Sequence, residues 1–139
     1  MINKRDVLTL KIPFPNISST LAVKAHMYIC QRHVGNQHSF VKCQTKKPYM
    51  IGANPIKNYL QEFPNIHRSP FQHITIIDCD KLFSSLHVQY DDSLKTTCRP
   101  DVCVDIMNKV DALLALQEHI VISINESDLV SINYSVSYI

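Results

Sequence analysis

The stretch LAVKAHMYICQRHVGNQHSFVKCQT, residues 21–45, decides how the chain is read. From about Leu21 to Gln31 it alternates as a β-strand does. Leu21, Val23, Ala25, Met27 and Ile29 share one face, while Lys24, His26, Tyr28 and Cys30 share the other. Arg32-His33-Val34-Gly35-Asn36-Gln37 then reads as a turn, and Ser39 to Thr45 as a further strand. The two runs are expected to pair as an antiparallel hairpin.

Upstream, Asp6 to Phe14 reads as a strand, with Leu8, Leu10, Ile12 and Phe14 alternating against Thr9, Lys11 and Pro13. Prolines and small polar residues make Pro13 to Thr20 a loop. Downstream, Lys46-Lys47-Pro48 ends the hairpin, because proline donates no ladder hydrogen bond. Asn54-Pro55 is a helix start, with Ile56, Tyr59, Leu60 and Phe63 at helical spacing and Pro64 closing the element. Phe71 to Ile77 reads as a fourth strand, and Leu86, Val88 and Tyr90 belong to a fifth. Pro100 opens a longer helix to about Gln117, whose stripe is Val102, Ile106, Val110, Leu113 and Leu114 with Met107 and Leu116 alongside; it reads as core. In the tail, Ile120, Ile122 and Ile124 alternate, as do Val130, Ile132, Tyr134, Val136 and Tyr138. Asn125-Glu126-Ser127-Asp128 between them reads as the turn of a terminal β-hairpin.

The 139 residues suit one domain with one core: residues 1–118 as a barrel with a C-terminal helix, and 119–139 as a β-hairpin extension of it. Hydrophobic residues at 45% and charged residues at 19% give a globular balance, not a disordered one. A net charge of +2 permits a short contact with single-stranded nucleic acid and falls short of a duplex-binding excess. No apolar run reaches bilayer length and Met1 to Asp6 leads into no signal-type segment, so the expectation is a cytoplasmic protein with no membrane association. Cys30, Cys43, Cys79, Cys98 and Cys103 are odd in number and lack CxxC spacing; they read as buried free thiols. The seven histidines form no ligand motif, so no metal and no cofactor are expected. No GxSxG occurs, and the two glycines, Gly35 and Gly52, make neither a Walker loop nor a dinucleotide fingerprint.

Five strings in order resemble the MazF/PemK family of toxin endoribonucleases: Arg5-Asp6-Val7-Leu8, Val23 to Ile29, Phe40 to Thr45, Ile74 to Leu82 with its Ile77-Asp78 step, and Ile106 to Leu114. They cover about residues 5–116. The resemblance implies an α+β, mainly β fold: a small SH3-like barrel shared with CcdB, with the C-terminal helix and the appended hairpin. It also implies the toxin of a type II toxin–antitoxin pair. Such an enzyme cleaves single-stranded RNA without metal, leaving 2′,3′-cyclic phosphate and 5′-hydroxyl ends. The partners implied are single-stranded RNA, a cognate antitoxin whose disordered tail folds on binding, and a second copy in a homodimer.

Carried over by position, the resemblance makes Lys24 the residue that stabilises transition-state charge, where the family has Arg, and Thr45 the one that orients the scissile phosphate. Lys is a point charge where Arg is a planar fork. Independently, Lys24, His26 and Tyr28 stand in a row at steps of about 7 Å along one strand side. His26 is a candidate for proton transfer and Tyr28 for stacking on a base, against the plainer reading of an ordinary solvent-facing strand side. Lys42, Lys46 and Lys47 around Thr45 suggest a phosphate track, which Arg32, His33 and His38 would extend. Gln72 and His73 are further RNA-contact candidates. Two other readings stay open. One is a catalytically silent barrel that binds protein, as CcdB-like gyrase poisons do. The other makes the terminal hairpin an adhesive sheet edge, covered by self-pairing or by a dimer partner.

Overall fold

A computed structural model of the chain describes residues 1–13, 24–48 and 56–139. Its elements run β1 (Val7–Leu10), β2 (His26–Val34), β3 (Gln37–Thr45), β4 (Tyr59–Glu62), β5 (Thr75–Leu86), β6 (Val88–Tyr90), α1 (Val104–Leu116), β7 (Ile120–Ser123), α2 (Glu126–Ile132) and β8 (Val136–Tyr138). The class is α+β, mainly β. The main sheet has the order β1-β2-β3-β5-β4, antiparallel throughout, and β7 joins the second half of β5 in parallel. Among the described residues this sheet is open, since β1 and β4 end the path without pairing. β6 and β8 form a separate antiparallel ribbon.

The β2–β3 hairpin forms as the alternation demands. Val34 pairs with Gln37 across a two-residue turn, and Gly35 there has φ +56, a conformation that costs a side chain but not glycine. Gln31 is an extra residue on β2, where the register shifts between Cys30 and Arg32. Thr45 is the last strand residue, ahead of Pro48.

Both faces of the sheet are covered. On one side α1 packs Ile106, Met107, Val110 and Leu114 against Val7, Ile29, Val41, Cys43 and Ile77. On the other, α2 and the β6–β8 ribbon bring Leu129, Val88, Tyr90 and Val136 against Leu8, Leu10, Tyr28, Cys30, Phe40 and Phe83. Consecutive strand residues are therefore buried on alternate sides, as in any doubly covered sheet. The expected stripe is core, but α1 starts at Val104 rather than Pro100, so the buried Val102 lies ahead of it, and Leu116 points away and is 78% exposed. All five cysteines are free. Cys30, Cys43 and Cys79 are buried, whereas Cys103 is half-buried and Cys98 is exposed.

Several expectations are corrected. β1 stops at Leu10, β2 runs on to Val34 so that the turn is Gly35-Asn36 alone rather than 32–37, and the strand expected from Phe71 starts at Thr75. The terminal hairpin does not form: β7 pairs with β5, β8 pairs with β6, and α2 stands between them. Asn125 caps that helix by accepting the Asp128 N–H at 3.0 Å, because the side chain that makes a turn also makes an N-cap. Residues 56–63 are not helical. The Asp80 carboxylate accepts the N–H groups of Lys57 and Asn58, which holds the chain extended, and β4 then pairs with β5; Asn54 and Pro55 lie outside the described residues, as do Phe14 and Leu21 to Val23. Leu86 belongs to β5 rather than to the strand of Val88 and Tyr90, because His87 at φ +59 breaks the run.

Candidate active site

In an antiparallel hairpin the start of one strand lies beside the end of the other. Met27 pairs with Cys43, which brings the residues entering β2 against the last residues of β3; β3 in turn pairs Thr45 with Thr75 of β5. The segment 71–74 crosses this end of the sheet. Together they form a cleft of about 210 Å³ whose walls include His26, Gln44, Thr45, Gln72, His73 and Thr75. The Thr75 hydroxyl donates to the His73 carbonyl at 2.9 Å, and the Lys46 N–H donates to the Ile74 carbonyl at 2.8 Å, so the Gln72–His73 wall is tied to the strand ends.

Four of the sequence-derived candidates, His26, Thr45, Gln72 and His73, line one cleft around the end of the sheet, Thr45 from the α1 side with Cys43 and Thr75, His26 from the other side with Gln44. Lys24 is exposed just ahead of β2, and its charge reaches His26. Burial first, then the charges of Lys42 and Lys24, hold the His26 imidazole below its ordinary value. The ring is therefore neutral near pH 7 and able to accept a proton. Thr45 is exposed and offers a hydroxyl at the cleft wall.

Two candidates stand elsewhere. Tyr28 does not flank a groove: it is 1% exposed and meets Phe83 edge to face at 5.8 Å, so it is core and takes no base. The strand side read as solvent-facing is the second covered face of the sheet. Lys42 is not part of an open phosphate track, being 8% exposed. Of the other two lysines, Lys46 is half-buried and Lys47 exposed at the chain's exit from β3. In the proposed extension of that track, the His38 ring is stacked on His33 at 4.0 Å and buried against Tyr90, while Arg32 lies far along the hairpin from Thr45.

Sequence reading assigned no role to Asp78. It is the β5 register partner of Lys42 and is 6% exposed. Burial raises its carboxyl above the usual range, against the Asp80 N–H it accepts at 2.8 Å and against the nearby lysines. Burial likewise lowers the Lys42 ammonium, helped by Lys81 and opposed by Asp78. The available signal was an aspartate inside the apolar run Ile74 to Cys79.

A surface depression of about 440 Å³ lies elsewhere and is lined by Met1, Asp91, Asp92, Tyr134 and Ser135, with the Met1 ammonium paired to Asp92. Another of about 410 Å³ runs between α1 and the sheet and contains Arg32, Asp111 and His119. Among the described residues, no three His, Cys, Asp or Glu side chains gather as a metal site, and no helix is long and apolar enough to cross a membrane. No protein-family model matches the chain, and no curated protein matches it.

Proposed function

We propose that the chain is a metal-independent endoribonuclease acting on single-stranded RNA, the toxin of a toxin–antitoxin pair, built on an SH3-like barrel of the MazF/PemK type. The observation that carries the reading is the cleft lined by the His26 imidazole and by the exposed Thr45, with the exposed cation Lys24 on the chain that leads into it, its charge reaching His26. Transesterification of RNA needs those three functions and no metal. His26 takes the 2′-hydroxyl proton as that oxygen bonds to the adjacent phosphorus. Lys24 stabilises the added negative charge on the phosphorane, and Thr45 orients a non-bridging oxygen. The bond from phosphorus to the 5′-oxygen then breaks, and that oxygen leaves as a hydroxyl with a proton taken from water, while His26 returns its own proton to solvent. Gln72 and His73, on the opposite wall, contact the flanking nucleotide. A second copy of the chain and an antitoxin tail complete the assembly in this reading.

The test is incubation of purified protein with mixed-sequence single-stranded RNA in EDTA. Defined fragments ending in cyclic phosphate and 5′-hydroxyl are expected. Thr45→Val and Lys24→Met should each lower the rate by about 10²–10³, the loss typical of one transition-state contact. Intact RNA would end the nuclease reading, and intact RNA with gyrase inhibition would replace it with a binding module. Normal cleavage by Lys24→Met would remove Lys24 from the mechanism.

A further inference from the structure

We infer that Lys42 is a positioning residue of the cleft: seated in the sheet beside Asp78 and on the same side as His26, it directs its charge at the His26 ring. The catalytic consequence rests on the endoribonuclease reading, but the effect on His26 does not.

Alternation places His26 and Tyr28 of β2, Lys42 and Gln44 of β3 and Asp78 of β5 on one side of the sheet, and the ladder sets Lys42 between Tyr28 and Asp78. Lys42 and Asp78 are 8% and 6% exposed, so two ionisable groups on neighbouring strands have left water. Desolvation costs several kcal/mol per ion, and an apolar pair of similar size would stabilise the sheet at least as well. Stability is therefore a poor account of the pair, and buried ionisable groups near a cleft are candidates for a functional role. A buried ammonium does not meet RNA phosphates directly. Its charge acts through the protein interior, where the field is stronger than in water.

His26 lies on the same side, two residues along β2 from Tyr28, the register partner of Lys42. Leu10, the register partner of His26 on β1, is apolar. Lys24 approaches from the chain before β2, Lys42 from β3 and His73 from the far wall of the cleft. Tyr28 and Cys43 are buried and held protonated. Asp78 opposes the loss of charge that burial imposes on Lys42 and so keeps the ammonium effective. Burial and both cations act on His26 in the same direction.

The test follows the His26 ring by NMR titration of the full chain, with His26→Gln identifying its resonance. In the unsubstituted protein its midpoint should lie below that of free imidazole, and Lys42→Met should move it up, while Lys42→Arg, which keeps the charge, should leave it low. An unchanged midpoint in folded Lys42→Met overturns the inference. If Lys42→Met does not fold, the unsubstituted protein decides: the Lys42 side-chain resonances should show an inflection at the His26 midpoint, and its absence overturns the inference equally. With RNA, Lys42→Met should move the acidic limb of the rate profile up with the His26 midpoint. A protein that cleaves no RNA but shows the His26 shift keeps the inference and loses the nuclease reading. One that cleaves RNA without the shift does the reverse.

Discussion

Replacing Tyr28 by Ala separates a doubly covered sheet from one with a face open to RNA. Tyr28 is 1% exposed and its ring meets Phe83 at 5.8 Å with the planes at 90°. Truncating a buried aromatic side chain costs about 3–5 kcal/mol, through lost burial and the cavity left behind. The edge-to-face pair supplies about 0.5–1.5 kcal/mol of that. With a urea slope of about 2 kcal/mol per molar, a loss near 4 kcal/mol lowers the unfolding midpoint by about 2 M. A domain of this kind has about 5–15 kcal/mol in all, so the variant stands close to unfolding. Thr9→Ala, at an exposed position of β1, is the control and should stay within about 0.5 kcal/mol. The assay is urea unfolding followed by far-UV circular dichroism. If Tyr28→Ala unfolds within about 1 kcal/mol of the unsubstituted protein while losing affinity for RNA, Tyr28 faces a groove and the two-core description is wrong.

His38 makes stability fall on acidification. Burial first, then the charge of His33, push its imidazole down from 6.5 to about 4, so between those values the unfolded chain binds the proton and the folded one does not. The loss, fully absent above pH 6.5 and complete near pH 4, amounts to about 3 kcal/mol, and His38→Phe should show a shallower decline over that range in urea unfolding. Equal slopes for the two proteins would refute this. Asn133 donates to the Lys11 carbonyl at 2.7 Å and accepts the Lys11 N–H at 2.9 Å, tying the end of α2 to the chain after β1. Asn133→Leu should lower stability by about 1–3 kcal/mol, read as a drop in thermal midpoint. Gly35→Ala should cost about 1–2 kcal/mol from the φ of +56 alone, since an added Cβ meets nothing within 4 Å; an unchanged midpoint would show that the turn relaxes.

The hairpin was legible because its cues are local, alternation in 26–31 and a terminating proline, although the turn was read as 32–37 where only Gly35 and Asn36 lie between the strands. The α1 stripe was legible for the same reason. What covers each face of a strand is decided by distant segments, and there the reading failed. Tyr28 and Cys30 shared a side with Lys24 and His26, and the polar pair made the whole side look wet. The polar residues sit at the strand entrance and the apolar ones under α2 and the β6–β8 ribbon. In the tail, residues 130–138 fit a two-residue period, but Tyr134 is fully exposed while Leu129 and Asn133, four apart, are buried, as a helix requires. The cleft itself could be anticipated from pairing β2 with β3. Asp78 could not, because its place beside Lys42 depends on the β3–β5 pairing between segments far apart in sequence.

A sheet covered on both sides leaves chemistry few places to stand. A side chain inside a strand is sealed by whichever layer covers it, so groups that must touch a substrate belong at strand ends. His26 is the first residue of β2 and Thr45 the last of β3, and the antiparallel ladder brings those two ends together. Lys42 lies three residues inside β3, where contact with substrate is closed to it but influence is not. Burial weakens a cation as a ligand and strengthens it as a source of field, because the water that would screen it is gone. That difference explains why one strand can carry both an exposed hydroxyl at its tip and a desolvated ammonium behind it. In the proposed reaction the first meets the phosphate, and the second acts on the imidazole that takes the 2′-hydroxyl proton.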